Sequence, residues 1–201
     1  MSAHYYSAEP ICPSARTEVR VRACGLSLSL VSDRGVFSGR QLDRGTHLLA
    51  EEVRPGAGDL VVDLGCGYGA LGVIAGQLTS GPLLFLDINR RAAELAAENV
   101  RRCGLTGRAL VAVCDGLDAV ADACADLVLC NPPIRAGRAT ALRLLEGAAR
   151  VLVPTGRLGV VARTSQGAET LARLMGRWFG TVVTVARGGG FRVFVARGPM
   201  C

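Results

Sequence analysis

The chain has 201 residues and a formal charge of +6; half of its residues are hydrophobic and only 4% are aromatic. That is the length of a single domain, apolar enough to bury a core of Val, Leu and Ala, and too apolar for a disordered chain. All 23 cationic side chains are arginine, which excludes a nucleophilic or Schiff-base lysine and a P-loop lysine.

The first fifteen residues read as irregular, with Pro10 and Pro13. Polar His4-Tyr5-Tyr6-Ser7 gives no sign of a secretory leader. Alternation over Thr17–Ala23 and again over Leu26–Leu30, with Gly25 between, predicts a β-hairpin. Asp43 to Val53 reads as a short helix that Pro55-Gly56 ends. From residue 59 the pattern changes. Apolar runs over Leu60–Leu64, Leu83–Leu86, Ala109–Cys114, Asp126–Cys130 and Leu158–Ala162 predict strands buried on both faces. Helical stretches fall at Ala70–Leu78, Arg90–Cys103, 137–152 and Ser165–Phe179. Thr181–Ala186 and Phe191–Ala196 flank three glycines as a closing hairpin. The expected fold is α/β: a doubly wound, seven-stranded, mostly parallel Rossmann-like sheet with helices between its first six strands. Residues 1–57 form an N-terminal extension, hairpin plus helix, packed on a catalytic domain at 58–201.

Charge is uneven along the chain. Residues 58–134 hold five arginines and nine acids, whereas residues 135–201 hold eleven arginines and two acids. An acidic middle suits a cationic small ligand, and a basic end suits a polyanion. GC-rich coding accounts for the absence of lysine, and its physical result is that every cation is a planar fork suited to phosphate. The eight cysteines contain no CxxC pair and there are two histidines, so neither a disulfide framework nor a metal site is expected. The cysteines read as small buried hydrophobes of a reduced, cytoplasmic protein. No apolar run reaches the roughly 18–20 residues of a membrane span.

The polar residues Asp63, Gly65, Asp87, Asp115 and Asn131 all fall at the carboxyl ends of predicted strands, where α/β sheets bind ligands. Asp63-Leu64-Gly65-Cys66-Gly67-Tyr68-Gly69 partly fits a dinucleotide fingerprint. An acid just before the glycines, however, gains little from a pyrophosphate at the helix N-terminus. It suits a ligand bearing positive charge, such as the amino group and sulfonium of S-adenosylmethionine. The chain also lacks the lysine that a dehydrogenase proton relay often uses, and its only histidines are His4 and His47. Asp87, followed by Ile88, can accept from both ribose hydroxyls, or instead cap the helix that starts near Asn89. Asp115, followed by Gly116, can accept from an adenine amino group, or serve as a turn residue. In Asn131-Pro132-Pro133-Ile134, the Asn131 side-chain oxygen and the Pro132 backbone carbonyl can each accept one hydrogen of an amine. That aims the nitrogen lone pair at a methyl carbon, and two prolines keep the loop rigid.

These segments resemble class I S-adenosylmethionine-dependent methyltransferases, and within them the methyltransferase small domain group related to small-subunit rRNA guanine-N2 methyltransferases. The likeness rests on His4–Ser7, Gly35-Val36-Phe37-Ser38, Asp43-x-Gly45-Thr46, the Asp63–Gly69 loop, Asp87–Arg90, Asp115–Leu117 and Asn131–Gly137. The resemblance implies that Asp63, Gly65, Cys66, Gly67, Asp87, Ile88, Asp115, Gly116 and Asn131 hold S-adenosyl-L-methionine. It implies that Asn131, Pro132 and Pro133 clamp a target amine, with guanine N2 in 16S ribosomal RNA as the substrate and rRNA or the small ribosomal subunit as the partner. Position 134 is Ile where many Asn-Pro-Pro enzymes carry an aromatic, so base stacking worth ~1–3 kcal/mol either falls to another ring, Phe37 or Phe191, or is reduced. The same pocket suits a protein-glutamine or small-molecule N-methyltransferase, and a non-catalytic RNA- or cofactor-binding module is the third reading.

Overall fold

Residues 12–200 are described by a computed structural model. His4, Tyr5, Tyr6 and Cys201 lie outside the described residues. The hairpin is as expected. In β1 (Thr17–Ala23), Val19, Val21 and Ala23 face inward while Glu18, Arg20 and Arg22 face solvent. It pairs antiparallel with β2 (Leu26–Ser32) through a two-residue turn at Cys24-Gly25. The turn is tied down from a distance, because the Cys24 N–H donates to Glu51 Oε1 at 2.6 Å.

The chain then runs through α1 (Arg44–Glu52), β3 (Val61–Leu64), α2 (Ala70–Gly76), β4 (Leu83–Asp87), α3 (Arg90–Arg102), β5 (Ala109–Val113) and β6 (Ala125–Cys130). It continues through α4 (Arg138–Val151), β7 (Leu152–Arg163), α5 (Ala168–Met175), β8 (Phe179–Gly188) and β9 (Phe191–Pro199). The last seven strands form one sheet in the order β5-β4-β3-β6-β7-β9-β8, and β9 alone runs against the rest. Successive residues of each central strand serve opposite faces, as the pleat requires. Val61, Leu127, Leu129 and Val161 pack with α1, α2 and α3. Val62, Val128, Cys130 and Val160 pack with α4 and α5. Both faces are covered, which is why these strands read as continuous apolar runs.

Four details differ from the sequence expectation. The β5–β6 connection, 114–124, holds turns and no helix. Leu117 of that connection joins Leu144 and Leu145 of α4 in one buried cluster, while Leu110 of β5, on the face a further helix would have covered, stays exposed. Strand β7 starts at Leu152 rather than Leu158: Leu152 pairs with Ala125, and the chain bulges through Pro154 and Gly156 before Arg157 pairs with Leu127. Helix α5 is shorter than expected at both ends, bounded by Gly167 and Gly176. The seven described cysteines are free thiols; Cys66 and Cys130 are buried, and the other five are partly exposed. Among the described residues no helix is long and apolar enough to cross a membrane.

Candidate active site

Between β3 and α2, Gly65, Gly67 and Gly69 have φ of +72°, +57° and +85°. A side chain there would cost ~1–2 kcal/mol at each position. The loop is fastened on several sides. Gly65 and Cys66 N–H donate to the Leu86 carbonyl at 2.9 Å. Gly67 N–H donates to Asp87 Oδ2 at 2.8 Å. Asn99 of α3, fully buried, donates to the Tyr68 carbonyl at 2.8 Å and bonds both backbone groups of Val31 in β2. Asn99 therefore ties the loop to the hairpin.

A cavity of about 340 Å³ opens above this loop, within the range of small-molecule sites. All nine residues named from sequence as cofactor ligands line it: Asp63, Gly65, Cys66, Gly67, Asp87 and Ile88 on one side, with Asp115, Gly116 and Asn131 on the other. Asp63 is only 3% exposed, and its Oδ2 accepts from Gly72 N–H in the first turn of α2 at 2.7 Å. Burial pushes its carboxyl up to about 7; the Gly72 bond opposes that rise and the Asp87 charge adds to it. Burial also raises Asp87, against three backbone N–H donors, those of Asn89, Gly67 and Ile88. The helix cap belongs to Asn89, whose Oδ1 accepts from Ala92 N–H at 3.3 Å. That leaves Asp87 as a loop anchor with its edge toward the cavity. Burial likewise drives the Cys66 thiol up, so Cys66 acts here as a neutral wall.

Asp115 differs from the simple expectation. Its side chain is 57% exposed and is held by Arg143 of α4, with Nη2 at 2.5 Å from Oδ1. Arg143 itself lines the cavity. A carboxylate has about four acceptor sites, so Asp115 can still take an adenine amine, but the guanidinium fixes where. The residues around Asp115 do not reveal Arg143 as a neighbour in the sequence.

A second cavity of about 160 Å³ adjoins the first, and Phe37, Asp43 and Asn131 border both. Pro132, Ile134, Arg163, Gln166 and Phe191 complete much of its wall. Both rings named from sequence as stacking candidates are therefore present, and the Arg163 guanidinium lies 4.4 Å from the centre of Phe191. Asn131 Nδ2 donates to Thr46 Oγ1 at 3.0 Å and to Asp43 Oδ2 at 3.3 Å. Its Oδ1 has no partner among the described residues. Pro132 carbonyl already accepts from Ile134 N–H at 2.8 Å. Pro133, at φ −76° and ψ 70°, is the centre of that inverse γ-turn. One lone pair of the Pro132 oxygen remains for a substrate. Pro133 faces the larger cavity and Pro132 the smaller.

Fold and cavities together define a Rossmann-like methyltransferase. The methyltransferase small domain family matches residues 27–195, and the chain belongs to that S-adenosylmethionine-dependent family. It is 31% identical to the uncharacterized protein YbxB of Bacillus subtilis (strain 168), covering 98% of this chain and 99% of that one. It is 36% identical to the ribosomal RNA small subunit methyltransferase C of Pseudomonas aeruginosa (strain UCBPP-PA14), over 85% of this chain and 51% of that protein. It is 38% identical to the ribosomal RNA large subunit methyltransferase G of Streptomyces coelicolor, over 83% and 44%. The chain thus spans about half the length of these two rRNA methyltransferases. A T. thermophilus 16S rRNA N2 G1207 methyltransferase (RsmC), solved with AdoMet and guanosine, shares the fold at a TM-score of 0.80 and 24% identity, over 92% of this chain and 51% of that one.

Proposed function

We propose that this protein transfers the methyl group of S-adenosylmethionine to the exocyclic N2 amine of a guanine in 16S ribosomal RNA. The observation that supports this best is the meeting of two cavities at Asn131, whose amide oxygen has no partner among the described residues. The larger cavity has the acids and glycines for the methyl donor; the smaller has two aromatic rings and an arginine for a planar base.

S-Adenosylmethionine supplies an electrophilic methyl carbon on a sulfonium. Asp63 and Asp87 contribute negative potential to its cavity, and Asp87 offers acceptor sites for ribose hydroxyls. Asn131 Oδ1 and the free lone pair of the Pro132 carbonyl each accept one N2 hydrogen. The nitrogen lone pair is then aimed away from both, and positive charge that develops on nitrogen is met by two oxygens. Phe37 offers a face for a base that has left its stack, and Phe191, buried under the Arg163 guanidinium, forms part of the pocket wall.

Arg44, Arg163 and Arg187 are exposed and have no carboxylate within ion-pair distance among the described residues. Arg163 borders the base cavity, Arg187 pairs across the β8–β9 ladder with Arg192, and the Arg44 side chain lies beside the turn at Gly189. A rim of unpaired arginines around the smaller cavity suits an RNA backbone. A glutamine loop or a metabolite has no use for it.

The test is labelled methyl transfer to naked 16S rRNA, naked 23S rRNA and 30S subunits, followed by mass mapping of the modified nucleotide. N2-methylguanine in 16S rRNA is expected. Label only in 23S rRNA would move the target to the large subunit, as the large-subunit relative allows. Absence of label in any RNA overturns the proposal.

A further inference from the structure

Helix α1 opens on Asp43-Arg44-Gly45-Thr46, a string that the site described so far uses only in passing. Asp43 caps the helix: its Oδ2 accepts from Gly45 N–H at 2.8 Å and Thr46 N–H at 3.0 Å. A serine or asparagine would cap as well. What a cap does not explain is the third donor on that oxygen, the Asn131 side-chain amide from the end of β6, and the second acceptor for that amide, Thr46 Oγ1. An ionised carboxylate only accepts hydrogen bonds. The end of Asn131 that faces Asp43 must therefore be NH2, and the carbonyl end must turn away from α1. Without Asp43 nothing at that end requires a donor, because the Thr46 hydroxyl can donate or accept, and a flipped amide would present donors to an amine that needs an acceptor.

The third residue of the string acts on the other cavity wall. A Cβ on Gly45 would sit 2.7 Å from Cε1 of Phe191 and 2.9 Å from Asp43 Oδ2. Only a glycine lets the ring of Phe191 lie against the N-terminus of α1. Phe191 is 5% exposed and, in the β7–β9 ladder, stands opposite Arg163.

We infer that Asp43, Gly45 and Thr46 are positioning residues: the α1 N-terminus sets the polarity of the Asn131 amide and seats the Phe191 wall, aligning amine acceptor and base pocket. This rests on the role proposed above for Asn131. Asp43 and Thr46 border the donor cavity but touch no reacting atom, so their effect should appear in turnover far more than in cofactor affinity.

The experiment uses the whole chain. Thr46→Val removes the hydroxyl at nearly constant shape, Thr46→Ser restores it, and Asp43→Asn keeps the helix cap but removes the acceptor-only group. Turnover and KM are measured on whichever RNA the wild type methylates, and cofactor affinity by calorimetry without RNA. Misplacing a reacting group by about 1 Å costs on the order of 100-fold. Thr46→Val and Asp43→Asn should therefore lower kcat roughly 10- to 100-fold, with cofactor Kd and thermal midpoint nearly unchanged, while Thr46→Ser stays within about threefold of wild type. Unchanged kcat in both variants, equal losses in Thr46→Ser and Thr46→Val, or a loss confined to cofactor affinity or folding would overturn the inference.

A second readout needs no substrate. The Asn131 side-chain NH2 resonances, identified by their absence in Asn131→Ala, should move in Thr46→Val and stay in Thr46→Ser. If they do not move, the inference fails. A wild type inactive on every RNA, with the resonances moving as expected, would sink the proposed function and leave the positioning role standing.

Discussion

A buried acid that faces a cationic ligand must change its protonation when the ligand arrives. Asp63 is such an acid: burial raises its carboxyl to about 7, so the empty site holds the proton below that pH and loses it above. The sign follows from linkage. A folded-state pKa above the unfolded one means that protonation stabilises the empty protein fully below pH ~4, and that this stability is lost as pH rises through ~7. Raising a carboxyl from its ordinary value near 4 to about 7 corresponds to about 4 kcal/mol between its two protonation states. S-Adenosylmethionine brings an ammonium and a sulfonium, which favour the carboxylate and expel the proton. The empty site is then mostly protonated at pH 6 and mostly ionised at pH 8, and binding should release progressively less proton as pH rises between them.

Titration calorimetry in buffers of different ionisation enthalpy measures the release directly. Asp87 lies in the same cavity with its own carboxyl raised, so Asp63→Asn is the control. Its amide oxygen can still accept from Gly72 N–H, but the side chain cannot titrate. This variant should bind the donor more weakly, release little proton across pH 6–8, and be more heat-stable than wild type without ligand at pH 8 but not at pH 4. Release that is flat from pH 6 to 8 in wild type, or that persists unchanged in Asp63→Asn, would refute the reasoning.

Asn131→Ala should lower kcat by about 10²–10³, the cost of losing one preorganised polar contact in a transition state, while calorimetry shows cofactor affinity within about twofold of wild type. Asp87→Ala strands the N–H groups of Gly67 and Asn89 and removes the proposed ribose acceptor. It should raise the cofactor Kd about 10- to 100-fold in the same assay. Gly45→Ala pushes a methyl group toward Phe191, so steady-state kinetics should show the RNA KM rising about fivefold or more, as overpacking of a tight wall would produce. Arg44→Gln and Arg187→Gln should each flatten the plot of log affinity for RNA against log salt by about 0.7 if each arginine meets one phosphate; a slope unchanged in both variants would remove the arginine rim from the RNA path.

The acid-and-glycine edge was legible in the sequence for a physical reason. A strand buried on both faces is apolar until it reaches the sheet edge, so the first polar residue after each run marks the carboxyl end. Asp87 and Asn131 declared themselves in that way; Asp63 stands one residue before the end of its run and Asp115 follows an edge strand with exposed Leu110 and Val113, yet all four line one cavity. The same rule says nothing about what covers a face. A helix was expected between β5 and β6 because parallel strands need crossovers of some kind, yet turns make this connection, and edge strand β5 leaves Leu110 and Val113 exposed.

The partners of the site residues were hidden for a different reason. Asn131 meets Thr46 across 85 positions and Asn99 meets Val31 across 68. Asn99 stands at helical spacing from Leu95 and Ala96 on the buried face of α3, so periodicity turns it inward without saying what it bonds. What makes it a fully buried clamp is that β2 lays its backbone against α3, exposing the N–H and carbonyl of Val31 to one side chain while the Tyr68 carbonyl approaches from the glycine loop. A buried asparagine is tolerated because those groups satisfy it. Its position is therefore dictated by three elements at once, and no one of the three contains enough information to announce it.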